Sequence, residues 1–240
     1  MTSEHPVHPA SGQDQFPSRL TRRRLLAGGL AVGVVALAPA CEPPPTAAYP
    51  ARPEPANPCN FGYDWPRPPL EVHRRPMMFP VLDSPTLGRA TWTDTYMAPR
   101  GSGSCRYHEG QDLIAPKMLK LLACVDGTVV DLRHATSGNS LTLKDDDGYY
   151  YGYLHINNDR PGTDDGSNLF ANAFAPGLAT GQQVRQGQLV GYVGDSGNAE
   201  TAGSHCHFEI RVPNATMWKA AAVNPKFSLE SAVPAALRST

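Results

Sequence analysis

The stretch Gly203-Ser-His-Cys-His-Phe-Glu-Ile-Arg211 carries two histidines one residue apart. Read as a β-strand, it places His205, His207, Glu209 and Arg211 on one face and Cys206, Phe208 and Ile210 on the other, where they can be buried. Two neighbouring imidazoles on the open face are unmotivated unless they bind something or move protons. Two further segments carry the same kinds of side chain. Tyr107-His108-Glu-Gly-Gln-Asp112 sets a histidine and an aspartate four residues apart, on one side whether the segment is extended or helical, and Gly110 favours the extended or turn form. Tyr153-Leu-His155 ends a predicted strand on another histidine. Two imidazole nitrogens and one carboxylate oxygen make a tetrahedral zinc site with one position open, the arrangement that a catalytic zinc needs.

The elements that must position these residues are short strands. From about Met77 the chain shows brief apolar runs broken by Gly, Asp-Gly and Ser-Gly, with no long helical periodicity. Strands are expected at 119–125, 127–134, 140–144, 149–156, 189–193 and 205–212, with Asp145-Asp146-Asp147-Gly148 as a solvated hairpin turn between the third and fourth. The segment Asn157 to Thr180 is too long for a hairpin connection and is expected to cover or border a groove. Its Asp159, Asp164 and Asp165 do not follow the spacing of an EF-hand loop. Gly194-Asp195-Ser196-Gly197 resembles the nucleophile segment of chymotrypsin-like proteases. The order of partner residues is wrong for that chemistry, and a tight turn feeding the His205 strand is the better account.

Length and charge bound the rest. The chain of 240 residues allows one ordinary domain with extensions, and its net charge of -1 with no basic run beyond the N-terminal region argues against nucleic acid as a partner. Residues 1–40 read as an export signal: Arg22-Arg23-Arg24 precedes an apolar run from Leu25 to Ala38 that is too short for an ordinary membrane span. The paired arginines are twin-arginine-like, with the Sec route as the alternative. Two readings of the cleavage region stay open. Ala38-Pro39-Ala40 fits a small-residue cleavage site, and Leu37-Ala-Pro-Ala-Cys41 resembles a lipobox with Cys41 as the lipidated residue. Ten of the 24 prolines fall between Cys41 and Leu70, so residues 41–75 are expected to be a proline-rich linker. Beyond Cys41 the even set Cys59, Cys105, Cys124 and Cys206 suits disulfides in an oxidising compartment. Pairings of Cys59 with Cys105, both in irregular chain, and of Cys124 with Cys206, both in predicted strands, are expected.

The four histidine- and glycine-bearing segments, taken in order, resemble peptidase family M23, the LytM/lysostaphin-type zinc metallopeptidases that cut the peptide part of peptidoglycan. HEGQDLIAP is similar to the family's HxGxD segment, YLHI to YxHL, GQQVRQGQLVGYVGDSGN to GxxVxxGQxIGxxGxTG, and GSHCHFEI to GxHLHFE. The resemblance implies a mostly β domain built on antiparallel sheet, of the LytM or duplicated-hybrid-motif type with long loops, here over 76–232 with a tail at 233–240. It implies His108, Asp112 and His207 as ligands of one zinc ion per chain, and His155 and His205 as the catalytic pair. Two departures stand out: Met118 and Lys120 take the places of a usual glycine and proline, and the stretch between His155 and Gly181 is longer than the family norm. The expected protein is an exported monomer acting on peptidoglycan peptides in the cell envelope or outside the cell. Any membrane attachment, to the outer face of the cytoplasmic membrane, would run through Cys41. A cell-wall binding protein or amidase activator that keeps the fold without turnover is the alternative.

Overall fold

The computed structural model describes residues 72–100 and 106–237. The export signal read in 1–40, most of the linker read in 41–75, and Cys41, Cys59 and Cys105 lie outside the described residues. Among the described residues no helix is long and apolar enough to cross a membrane.

In chain order the strands are β1 (Val81–Leu82), β2 (Pro99–Arg100), β3 (Arg106–Tyr107), β4 (Gln111–Ile114), β5 (Lys120–Leu122), β6 (Gly127–Arg133), β7 (Asn139–Lys144), β8 (Tyr150–Ile156), β9 (Gln183–Val184), β10 (Leu189–Tyr192), β11 (His205–Arg211) and β12 (Ala222–Val223). Two short helices, α1 (Phe170–Ala173) and α2 (Lys226–Glu230), complete the chain with two 3₁₀ turns. All six strands expected from the alternation of apolar residues are present, that at 119–125 reduced to three residues. The fold is mostly β, and every pairing between the named strands is antiparallel.

The main sheet runs β12-β11-β8-β7-β6-β9, and β4 also pairs with β11. Thus β11 has β8 along one edge, while β4 and β12 share the other: β4 meets His205 to Phe208, and β12 meets Ile210 and Arg211. A second sheet, β1-β5-β10, packs on the apolar face of the first, and β2-β3 forms a separate hairpin. Alternation sorts the strands of the main sheet cleanly. Leu141, Leu143, Tyr151, Tyr153, Cys206, Phe208 and Ile210 fill one apolar cluster with Leu121, Val190 and Val193 of the second sheet and its continuation. Burying each of these large side chains contributes about 1.5–3 kcal/mol. The Tyr153 hydroxyl joins the two sheets, donating to the Leu122 carbonyl at 3.0 Å and accepting from the Cys124 N–H at 2.9 Å.

The triple-aspartate turn is solvated at Asp146 and Asp147, as expected, while Asp145 is partly buried. Asp145 and Asp147 both hold Arg75, which ties the chain ahead of β1 to the far end of the β7–β8 hairpin. The disulfide expected between Cys124 and Cys206 is absent: both are free thiols, each fully buried in the apolar cluster. Burial pushes the Cys124 thiol up to about 12 and raises Cys206 as well. The sequence pattern located Cys206 behind the histidine face correctly but not its chemistry.

Candidate metal centre

The pairing of β4 with β11 puts Asp112 directly across from His207. His108 enters from the turn between β3 and β4, and three donor atoms then converge. His108 Nε2 lies 2.9 Å from Asp112 Oδ1 and 2.8 Å from His207 Nδ1, and His207 Nδ1 lies 2.9 Å from the same oxygen. This trio is a group of side chains that could hold a metal ion.

The remaining nitrogen of each of these histidines is tied down, as a metal-binding imidazole requires. His108 Nδ1 sits 3.0 Å from both the carbonyl and the hydroxyl of Thr95. His207 Nε2 sits 3.0 Å from Glu209 Oε1. Glu209 in turn accepts from Arg211 Nε at 2.7 Å, and Arg211 Nη2 donates to Glu109 at 2.6 Å. All of these charged side chains are buried or nearly so. Burial works against a charged His207, yet Asp112 and Glu209 hold it up at about 9. Asp112 itself lies well below the ordinary carboxylate range: burial opposes ionisation, and the hydrogen bonds from His108 and His207 outweigh it. The outer oxygen of Asp112 accepts from Arg100.

The other two expected histidines stand beside this trio. His205 is two residues along the same face from His207, with Nε2 3.7 Å from Asp112 Oδ1 and Nδ1 donating to the Gly203 carbonyl at 2.8 Å. His155 reaches the site by a different route. Strict alternation would place it with Tyr153 in the core, because it is Leu154 that pairs with His207. Instead His155 takes a left-handed backbone, φ +59°, and the register of β8 on β7 slips there, from Ser140 opposite Leu154 to Asn139 opposite Ile156. One extra residue forms a bulge that turns the imidazole to the other face. Its ring centroid lies 4.8 Å from that of His205, and Nδ1 donates to the Ser196 carbonyl at 2.9 Å. Burial pulls His155 down to about 4, so the ring is neutral near pH 7.

The turn that presents the Ser196 carbonyl is built by glycine. A Cβ on Gly194 would stand 2.2 Å from the Asn157 Cα, so only glycine lets this turn lie against the chain leaving β8. The Ser196 hydroxyl is buried and accepts from the Asn139 N–H at 2.9 Å, which fits the turn and not a nucleophile. Asn139 also bonds Asn168 at 2.7 Å, linking the long 157–180 segment to the site. That segment is anchored at both ends. Lys117 Nζ contacts Asp159 at 2.6 Å, Asp164 at 2.8 Å and Asp195 at 2.8 Å, so an ammonium occupies that acidic cluster, while Ala173 and Phe174 are buried in the core. Asp165 pairs with Arg160 at 2.6 Å.

Sequence reasoning named all five central residues. It did not identify Thr95, Glu109 or Arg100 as partners of the site. Glu209 and Arg211 carried a legible signal, since the period of two puts them on the histidine face. Thr95 carried none, lying in irregular chain 13 residues before His108. Met118 adopts φ +69°, the backbone for which glycine is the usual choice, so the expected departure at this turn changes the residue and preserves a left-handed bend.

The chain is similar to several known proteins. The family described as peptidase family M23 matches residues 106–225. The L-Ala–D-Glu endopeptidase of Bacillus subtilis (strain 168) is 32% identical over 138 residues, covering 54% of this chain and 36% of the relative, so the chain spans little more than a third of that protein's length. Among solved structures, a Ruminococcus gnavus protein assigned as a LytM glycyl-glycine endopeptidase is 25% identical, with a TM-score of 0.49, over 68% of this chain and 63% of that one. The catalytic domain of lysostaphin from Staphylococcus simulans is 21% identical, with a TM-score of 0.45, over 59% and 93% of the respective chains.

Proposed function

The chain belongs to peptidase family M23, and on that premise we propose that it is an exported zinc endopeptidase hydrolysing peptide bonds in the peptide part of peptidoglycan. One observation carries this reading: His108 Nε2, Asp112 Oδ1 and His207 Nδ1 meet within 2.9 Å of one another, while His155 and His205 stand alongside with their Nδ1 atoms already committed. The donor set is right for zinc, and each ligand is fixed from behind, His108 by Thr95, His207 by Glu209 and Asp112 by Arg100.

Zinc bound to these three residues would supply Lewis acidity at the scissile carbonyl. The chain's own residues do the rest. His155 and His205 each donate Nδ1–H to a backbone carbonyl, which leaves both Nε2 lone pairs free to accept a proton; once protonated, that nitrogen can donate to charge developing on the carbonyl oxygen. Neutral His155 suits the proton-accepting role. The L-Ala–D-Glu bond, cut by the Bacillus subtilis relative, is the first bond to test. Export by the signal read in 1–40, display on the linker read in 41–75 and lipidation at Cys41 belong to the same proposal. Mass analysis of muropeptides released from purified walls by the zinc-loaded chain tests it. New peptide termini that require zinc are expected, whereas binding to walls without cleavage would make the chain a binding protein or an amidase activator.

A further inference from the structure

Three cations border the site, and their charge balance differs. Arg211 lies between Glu109 and Glu209, and Lys117 lies among Asp159, Asp164 and Asp195. Both are outnumbered by carboxylates. Arg100 has a single anionic partner, the outer oxygen of Asp112, while the inner oxygen of that carboxylate faces His108 and His207. Among the described residues this is the only hydrogen bond the Arg100 side chain makes, out of five donors, and that side chain is 36% exposed. Its Nε is buried without a partner. An Asp112 that gives one oxygen to a dication no longer balances the guanidinium, which leaves a positive charge at the edge of the centre with donors to spare.

We propose that Arg100 binds a free carboxylate of the substrate next to the scissile bond, so that the preferred substrates carry an α-carboxylate on the residue that supplies the scissile nitrogen. This rests on the peptidase reading above. The guanidinium touches a ligand of the proposed zinc, so the group it takes must be attached within a few bonds of the reacting carbonyl. Where the carbonyl-side residue is alanine, as in the alanyl–glutamyl bond, its α-carboxyl is itself the bond being cut. On the nitrogen side an α-carboxylate is free whenever the chain continues through a side-chain carboxyl, as in an isopeptide-linked acidic residue. A fork of parallel N–H groups is the geometry that recognises it.

The test uses the zinc-loaded full chain and two peptides: alanyl-glutamyl extended through the glutamate γ-carboxyl with its α-carboxylate free, and the same peptide as the α-carboxamide. Turnover of both is measured, and binding of their reduced-amide analogues, which cannot be hydrolysed, is measured by calorimetry. The carboxylate forms are expected to give kcat/KM and affinity higher by about tenfold or more, the range of one charge-assisted contact. In Arg100→Gln, with zinc content checked on the same preparation, both ratios are expected to fall to near one. Equal binding of the two analogues by the wild type overturns the proposal, as does a preference that survives in Arg100→Gln. A chain that cuts neither peptide yet binds the carboxylate analogue more tightly through Arg100 would rule out the alanyl–glutamyl bond as the one cut and leave this site standing.

Discussion

Gly110 lies against the ring of His207: a Cβ added to Gly110 would stand 2.8 Å from His207 Nε2 and 2.5 Å from the Phe208 carbonyl oxygen. The backbone between His108 and Asp112 therefore backs the third member of the trio. The glycine is there because a side chain would displace an imidazole already fixed by Glu209.

Gly110→Ala is accordingly expected to weaken zinc binding by about 10–100-fold, the usual effect of disturbing what orients a ligand. Chelator competition measures it. Wild-type affinity in this variant would show that the ring moves freely and that the contact sets nothing.

Met118 holds a left-handed backbone, with its N–H donating to the Val193 carbonyl at 2.8 Å. Glycine adopts that conformation without the Cβ penalty and keeps the hydrogen bond, so Met118→Gly is expected to stabilise the fold by about 1 kcal/mol. The denaturation midpoint should rise with an unchanged slope; a fall would mean that the packing of the methionine side chain outweighs the relief.

Arg211 is buried and contacts both Glu109 and Glu209, and Glu209 also contacts His207. Arg211→Ala removes a buried guanidinium from both carboxylates and is expected to cost about 3–5 kcal/mol. Equilibrium unfolding gives the value, and a change within experimental error would mean that water or another donor replaces the guanidinium.

The Lys117 cluster makes the 157–166 region acid-sensitive. Burial works against an ionised Asp159, but Lys117 and the Gly166 N–H outweigh it and hold the carboxyl below its ordinary value. A carboxylate depressed in the folded state stabilises fully above its unfolded value, about pH 4, and that contribution is lost as pH falls through the lower folded value. Hydrogen exchange, corrected for intrinsic rate, should show the Gly166 amide protected at pH 7 and less so below pH 4, with Lys117→Met weakening protection at both. Equal protection in the variant would show that the loop is held by its other anchors.

The alternating pattern in β7, β8 and β11 made the sheet, its buried face and the His205–His207 pair legible from sequence, because a period of two is enforced wherever one face is buried. His155 was legible as a histidine ending a strand, but its direction was not. Its own strand pattern points it into the core beside Tyr153, and the bulge that turns it out depends on the Ser196 carbonyl 41 residues later. Thr95 and Arg100 reach the site through irregular chain and a two-residue strand, where no periodicity marks a side chain's direction. The free Cys124 and Cys206 show the converse limit: their number and compartment suggested a bond, and the structure has two buried thiols.

The division of the histidine pair into one ligand and one catalyst is the claim on which the account depends. Zinc per chain, with turnover recorded on the same folded preparations, is the measurement that addresses it. His207→Ala removes a donor from the trio and is expected to lose zinc and activity together. His205→Ala leaves all three donors in place and is expected to keep close to one zinc per chain while its rate falls by about 10²-fold or more. If His205→Ala loses zinc as completely as His207→Ala, the assignment of the trio is wrong.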